Sequence, residues 1–86
     1  MKVIIVNAVW CPSCLIMRPR FESVKKECSN IEFKFYDIDL DEEPKLYNTG
    51  NILPVFILLD NKNVELGRLI GEHKKEDLIK LIENHS

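Results

Sequence analysis

The stretch NAVWCPSCLIM, residues 7–17, places two cysteines and a proline where a strand gives way to a helix. Just before it, KVIIV (2–6) is short, β-branched and apolar on both faces, the pattern of a buried strand. Just after it, Cys14, Met17, Phe21, Val24 and Cys28 recur at alternating steps of three and four, one buried stripe of a helix over 12–28. Pro12 suits the first helical position, where its missing N–H costs nothing.

Working outward, IEFKFYD (31–37) alternates apolar and polar residues, which predicts a strand with one wet face at the edge of a sheet. DEEPKLYNTG (41–50) reads as a short helix, with Asp41 as its cap, acids in the first turn and Gly50 as its stop. VFILL (55–59) and VELGRL (64–69) flank Asp60-Asn61-Lys62-Asn63 as a hairpin. Leu78, Ile79, Leu81 and Ile82 give 74–84 the apolar face of a last helix. The order is β-α-β-α-β-β-α, an α/β chain. Its first two strands, joined through a helix, should be parallel with a right-handed crossover, and its last two antiparallel. No repeat, linker or low-complexity segment interrupts it, so 1–86 is expected to be a single domain.

Composition narrows the functions. Apolar residues make up 45% and charged residues 30%, as in an ordinary globular protein rather than a disordered one. The net charge is −2 with both signs mixed along the chain, which argues against a nucleic-acid partner. No apolar run approaches the ~18 residues of a membrane span, and the N-terminus lacks a signal-peptide core. As it stands, the chain is expected to be cytoplasmic. Three cysteines are too few for a disulfide scaffold, and in such a compartment a C-x-x-C pair points to catalysis or metal.

The pair's position decides between those. Cys11 falls at the cap of the first helix, facing unpaired N–H groups and the positive end of the helix dipole, surroundings that favour thiolate, the attacking species in disulfide exchange. Cys14 lies one turn inside, on the buried stripe, so it should be the less exposed thiol. Cys11 is the expected nucleophile and Cys14 the resolving thiol, with no bound cofactor beyond the redox-active Cys11–Cys14 disulfide. A structural zinc site needs four ligands. Cys28 lies roughly 21 Å along the helix from Cys14 at ~1.5 Å per residue, and His73 and His85 are isolated, so no metal site within the chain is expected. Cys28 reads as a small core hydrophobe. Asp37, Asp39, Asp41, Glu42 and Glu43 read as a solvated loop and helix cap with no catalytic role.

These residues carry a resemblance. AVWCPSC, with Pro19 five residues after the second cysteine, resembles the active-site helix of the thioredoxin family, and NILPV resembles that family's cis-proline loop. The spacing from Asp39 to Pro54 fits the family's pattern, and Gly71 sits near its late glycine. The likeness spans the whole chain, minus the N-terminal strand and helix of full thioredoxins, and implies a thioredoxin fold: a mixed four-stranded sheet flanked by helices. It implies that the peptide before Pro54 is cis and lies against the active-site cysteines, and that the Leu53 backbone pairs with a substrate strand. Trp10 becomes a partly exposed flank that contacts partners. The structural alternatives are a trans Pro54 at a strand's first residue and a core Trp10. Pro19 would kink the helix without chemistry of its own.

The chain also departs from the family. Thioredoxins carry a buried Asp six residues before the first cysteine, where this sequence has Ile5, so Cys14 is left to water or the partner as its base. The dipeptide Pro12-Ser13 is closer to glutaredoxins, yet Ile52-Leu53 and IGEHKKEDL lack the glutathione-binding pattern. Pro12 offers the Cys11 sulfur no N–H, which leaves Ser13 and the Cys14 N–H as donors. The implied function is a thiol–disulfide oxidoreductase, a thioredoxin-like carrier that reduces protein disulfides and is recharged by a thioredoxin-reductase-type enzyme. Its clients would be read by Trp10, Pro12, Ser13, Leu53 and Pro54, and a monomer is expected. Two alternatives stand beside it: a glutaredoxin-like or metal–sulfur cluster-binding redoxin, and a redox-silent binding module on the same fold.

Overall fold

The computed structural model describes residues 1–85. Strand β1 (Lys2–Asn7) leads into helix α1 (Pro12–Glu27), which returns to strand β2 (Glu32–Asp37). A five-residue 3-10 turn (Glu43–Tyr47) precedes strands β3 (Val55–Leu59) and β4 (Glu65–Ile70), and helix α2 (Lys75–Glu83) follows. The sheet runs in the order β2-β1-β3-β4, with β1 parallel to β2 and antiparallel to β3, and β3 antiparallel to β4.

That order explains the sequence pattern. The central strands are apolar on both faces because both faces are covered, and residues 3–6 and 55–59 are all buried. Side chains alternate across the sheet. Val3, Ile5, Phe56 and Leu58 meet Met17, Phe21 and Val24 of α1 and Leu78 and Ile82 of α2. Ile4, Val6, Val55, Ile57 and Leu59 form a second cluster with both Cys11 and Cys14, edged by Tyr36, Ile38 and Tyr47. Phe21 stacks on Phe56 with ring centroids 6.0 Å apart, tying α1 to β3. Gly67 of β4 lets α2 close on the sheet, since a Cβ there would stand 2.8 Å from Leu81 Cδ1. Arg20 of α1 donates to the His73 carbonyl at 2.8 Å, and Lys75 pairs with Glu27 at 2.8 Å, so the two helices are also joined by polar contacts.

The helix expected over 41–50 is the short 3-10 turn instead. Asp41 does not cap it; its carboxylate accepts the Asp37 N–H at 2.8 Å, and Glu42, which precedes the turn, makes no side-chain cap. Pro44 stands at its start, and Asn48 ends it in the left-handed conformation, φ 52°. Arg68 of β4 clamps the turn by donating to the Tyr47 carbonyl at 2.7 Å. Strand β4 runs one residue later than the pattern suggested. Asp60 Oδ1 accepts the Lys62 and Val64 N–H groups, so Val64 belongs to the hairpin turn. Helix α1 continues through Pro19, which is exposed.

Candidate active site

The site lies at the end of the sheet where β1 runs out. The Cys11 N–H donates to the Ala8 carbonyl at 3.2 Å, closing the turn that carries Val9 and Trp10 outward. Trp10 is 62% exposed, and its indole N–H donates to the Asp39 carboxylate, which fixes the ring beside the turn. Cys11 is the N-cap of α1, in extended backbone conformation (φ −92°, ψ 112°), with Pro12 in the first turn after it. Its sulfur takes the place of the usual capping oxygen and accepts the Cys14 N–H at 3.2 Å. The first turn thus supplies one backbone donor to the Cys11 sulfur.

A distant loop covers the pair. The Leu53–Pro54 peptide is cis, and the Leu53 carbonyl accepts the Cys11 thiol at 3.8 Å. The Gly71 N–H holds the Pro54 carbonyl at 2.8 Å; Gly71 has φ +83°, a conformation that favours glycine. Next to it, Glu72 accepts a hydrogen bond from the Ser13 hydroxyl at 3.0 Å. That contact places a carboxylate on the rim of the cysteine turn.

Because of this cover, exposure does not separate the two thiols. Cys11 is 5% exposed and Cys14 6%, against the expectation that Cys14 is the more hidden. Proton affinity sets Cys14 apart. Burial, the hydrogen bond with Cys11 and the negative charges of Cys11 and Asp37 push the Cys14 thiol up to about 12, and the Ala8 backbone acts the other way. Cys28 lies at the far end of α1, half-buried against the helix-side core, as a small hydrophobe would. His73 is held locally by the Ile70 carbonyl and Asp77. Among the described residues no group of three His, Cys, Asp or Glu side chains could hold a metal ion. No described helix is long and apolar enough to cross a membrane.

Two neighbours of the site were given no place in it by the sequence: Glu72, and Asp37, which reads as one of several solvated acids. Glu72 reaches Ser13 across 59 residues, which no local pattern signals. Asp37 sits opposite Asn7 in the parallel β1–β2 register, and that pairing brings it to the end of the strand preceding the cysteines.

A thioredoxin family model matches residues 1–84. The thioredoxin of Chlamydia trachomatis is 33% identical, over 91% of this chain and 76% of its own length. This chain belongs to the thioredoxin family. Thioredoxin H5 of Arabidopsis thaliana is 29% identical over 96% of the chain and 71% of its own length. The thioredoxin of Fasciola hepatica superposes with a TM-score of 0.85 at 27% identity, covering 99% of this chain and 80% of that one. With the mixed four-stranded sheet flanked by two helices, these relatives make the protein a thiol–disulfide oxidoreductase on a thioredoxin fold.

Proposed function

We propose that this protein reduces disulfides of other proteins, with Cys11 as the nucleophile and Cys14 as the resolving thiol. The observation that carries the assignment is the capping geometry. Cys11 Sγ is the atom that caps the helix and accepts the Cys14 N–H, whereas the Cys14 thiol is held protonated by its surroundings. Cys11 thiolate attacks a client disulfide and forms a mixed disulfide. Cys14 then displaces the client as a thiol and leaves Cys11–Cys14 oxidised. The Leu53 backbone, next to the cis peptide and within reach of Cys11 Sγ, is suited to pair with an extended client segment. Trp10, Pro12, Ser13 and Pro54 complete the client-binding rim.

The physiological setting belongs to the same proposal: a single domain acting as a monomer in the reducing cytoplasm, recharged by a thioredoxin-reductase-type enzyme. Its potential should therefore lie near or below about −230 mV. A Cys14→Ser variant incubated with oxidised protein should accumulate mixed disulfides through Cys11, identified by mass. If the wild type forms no Cys11–Cys14 disulfide in thiol buffers, the assignment fails. A potential near about −120 mV would make the protein an oxidant and remove the cytoplasmic setting.

A further inference from the structure

The resolving step needs a proton acceptor. In the mixed disulfide, Cys14 is still a thiol, and a thiol attacks poorly. Its surroundings hold the proton tightly, yet Ile5, on β1 six residues before Cys11, is fully buried among apolar side chains and offers no base.

The carboxylate comes from the next strand. A groove of about 800 Å³ lies between α1 and the C-terminal end of β2, and Cys14 and Asp37 both line it. Since a water molecule occupies ~30 Å³, the groove has room for several. Asp37 Oδ1 is engaged by the Asp39 and Leu40 N–H groups at 2.8 and 3.1 Å, which hold the side chain in place. Asp37 Oδ2 has no hydrogen-bond partner among the described residues. Other titratable groups on the groove are Arg18 and Glu22 of α1, Tyr36 of β2 and Asp41. Asp41 already uses one oxygen on the Asp37 N–H, and of these carboxylates only Asp37 is among the charges acting on Cys14.

We infer that Asp37, through water in this groove, accepts the Cys14 proton when the mixed disulfide is resolved. The step balances as follows. The Cys14 S–H proton passes through water to the Asp37 carboxylate. The Cys14 sulfur attacks Cys11 Sγ, the Cys11–Cys14 bond forms, and the bond from Cys11 to the client breaks. The client sulfur leaves with the electron pair and is reduced to a thiol on taking up a proton from solvent, and Asp37 returns its own proton to bulk water.

This inference rests on the proposed roles of the two cysteines, and a two-phase experiment separates the two claims. Reduced protein is mixed with the aromatic disulfide 5,5′-dithiobis(2-nitrobenzoate). The first release of coloured thiol reports attack by Cys11, and the second reports resolution by Cys14. The wild type should show both phases, with the second nearly flat from about pH 6 to 9. Asp37→Asn keeps the Oδ1 acceptor for the loop, so its first phase should be unchanged. Its second phase should slow by about a hundredfold near neutral pH, the usual scale of a lost proton acceptor. It should then rise about tenfold per pH unit and recover on addition of formate. Glu22→Gln, which removes a carboxylate from the same groove, should leave both phases within twofold.

Asp37→Glu provides the structural control. It keeps a carboxylate but displaces the oxygen that caps the loop, so it should retain the flat second phase. A second phase lost in Asp37→Glu but kept in Asp37→Asn would mean that Asp37 only caps the loop, and the inference falls. A second phase in Asp37→Asn within twofold of the wild type from pH 5 to 9 overturns it as well. A wild type without a second phase sinks the cysteine assignment itself.

Discussion

Helix α1 begins on one cysteine and ends on another, and its two ends treat the same side chain differently. At the N-terminus Cys11 accepts a backbone N–H at 3.2 Å and lies against a cis-proline loop brought in from 42 residues away. At the C-terminus Cys28 closes the helix by donating its backbone N–H to the Val24 carbonyl at 2.9 Å, and its side chain only fills space. Burial and the nearby carboxylates Glu27 and Glu83 push the Cys28 thiol up, so it holds its proton. The helix dipole has opposite signs at the two ends. Residue type therefore does not set a cysteine's surroundings; the end of the helix and the loop facing it do.

The strongest way to break this comparison is to remove each thiol in turn. Cys11→Ser should lower turnover of a protein disulfide by more than about a thousandfold, because the proposed nucleophile is gone, while Cys28→Ser should stay within about twofold. Comparable losses from both would mean that the C-terminal end also takes part. Alkylation of the reduced protein at pH 7, resolved by peptide mass, compares the thiols without mutation. Cys11 should label first. Cys14, with its thiol near 12, should be ionised at about one part in 10⁵ at that pH. Prior labelling of Cys28 would reverse the comparison.

Stability against pH gives a smaller effect. In the reduced protein, folded Cys14 keeps its proton up to about 12, whereas the unfolded chain loses it near the ordinary value of 9.0. Between these limits the unfolded state binds fewer protons, so stability falls as pH rises. Denaturant titration should show that decline in the reduced protein. It should be weaker in the oxidised protein, where Cys28 remains but the Cys11–Cys14 thiols do not. Equal slopes would show that Cys14 is not specially held. Ser13→Ala should do least. It removes the contact with Glu72 on the rim, where an exposed hydrogen bond contributes about 0.5–1.5 kcal/mol at most. A two- to threefold change in client reduction is expected, and a loss approaching that of Cys11→Ser would place Ser13 in the chemistry.

What the sequence revealed follows from how local each feature is. The buried strand at 2–6, the α1 stripe and Cys11 at the cap could be read because each is set within a turn or two of chain. The segment 41–50 misled because Asp41 has a second use: its carboxylate serves the Asp37 N–H of the preceding strand, and the turn is clamped from β4 by Arg68. The relative exposure of the two thiols also escaped, since Cys11 is covered by Leu53 from a loop that only the folded sheet brings near. Asp37 read as one of five solvated acids. Its place beside the site depends on the parallel β1–β2 register, which spacing along the chain does not encode.

The sheet's edge has a consequence of another kind. β2 is an outermost strand, and an open strand edge is a template on which foreign chains can add and build fibres. Here Glu32 and Lys34 are both exposed, with Lys2 3.8 Å and Lys34 3.7 Å from the Glu32 carboxylate. Docking a new strand there would strip water from those charges without supplying partners for them. The edge is thereby guarded against aggregation.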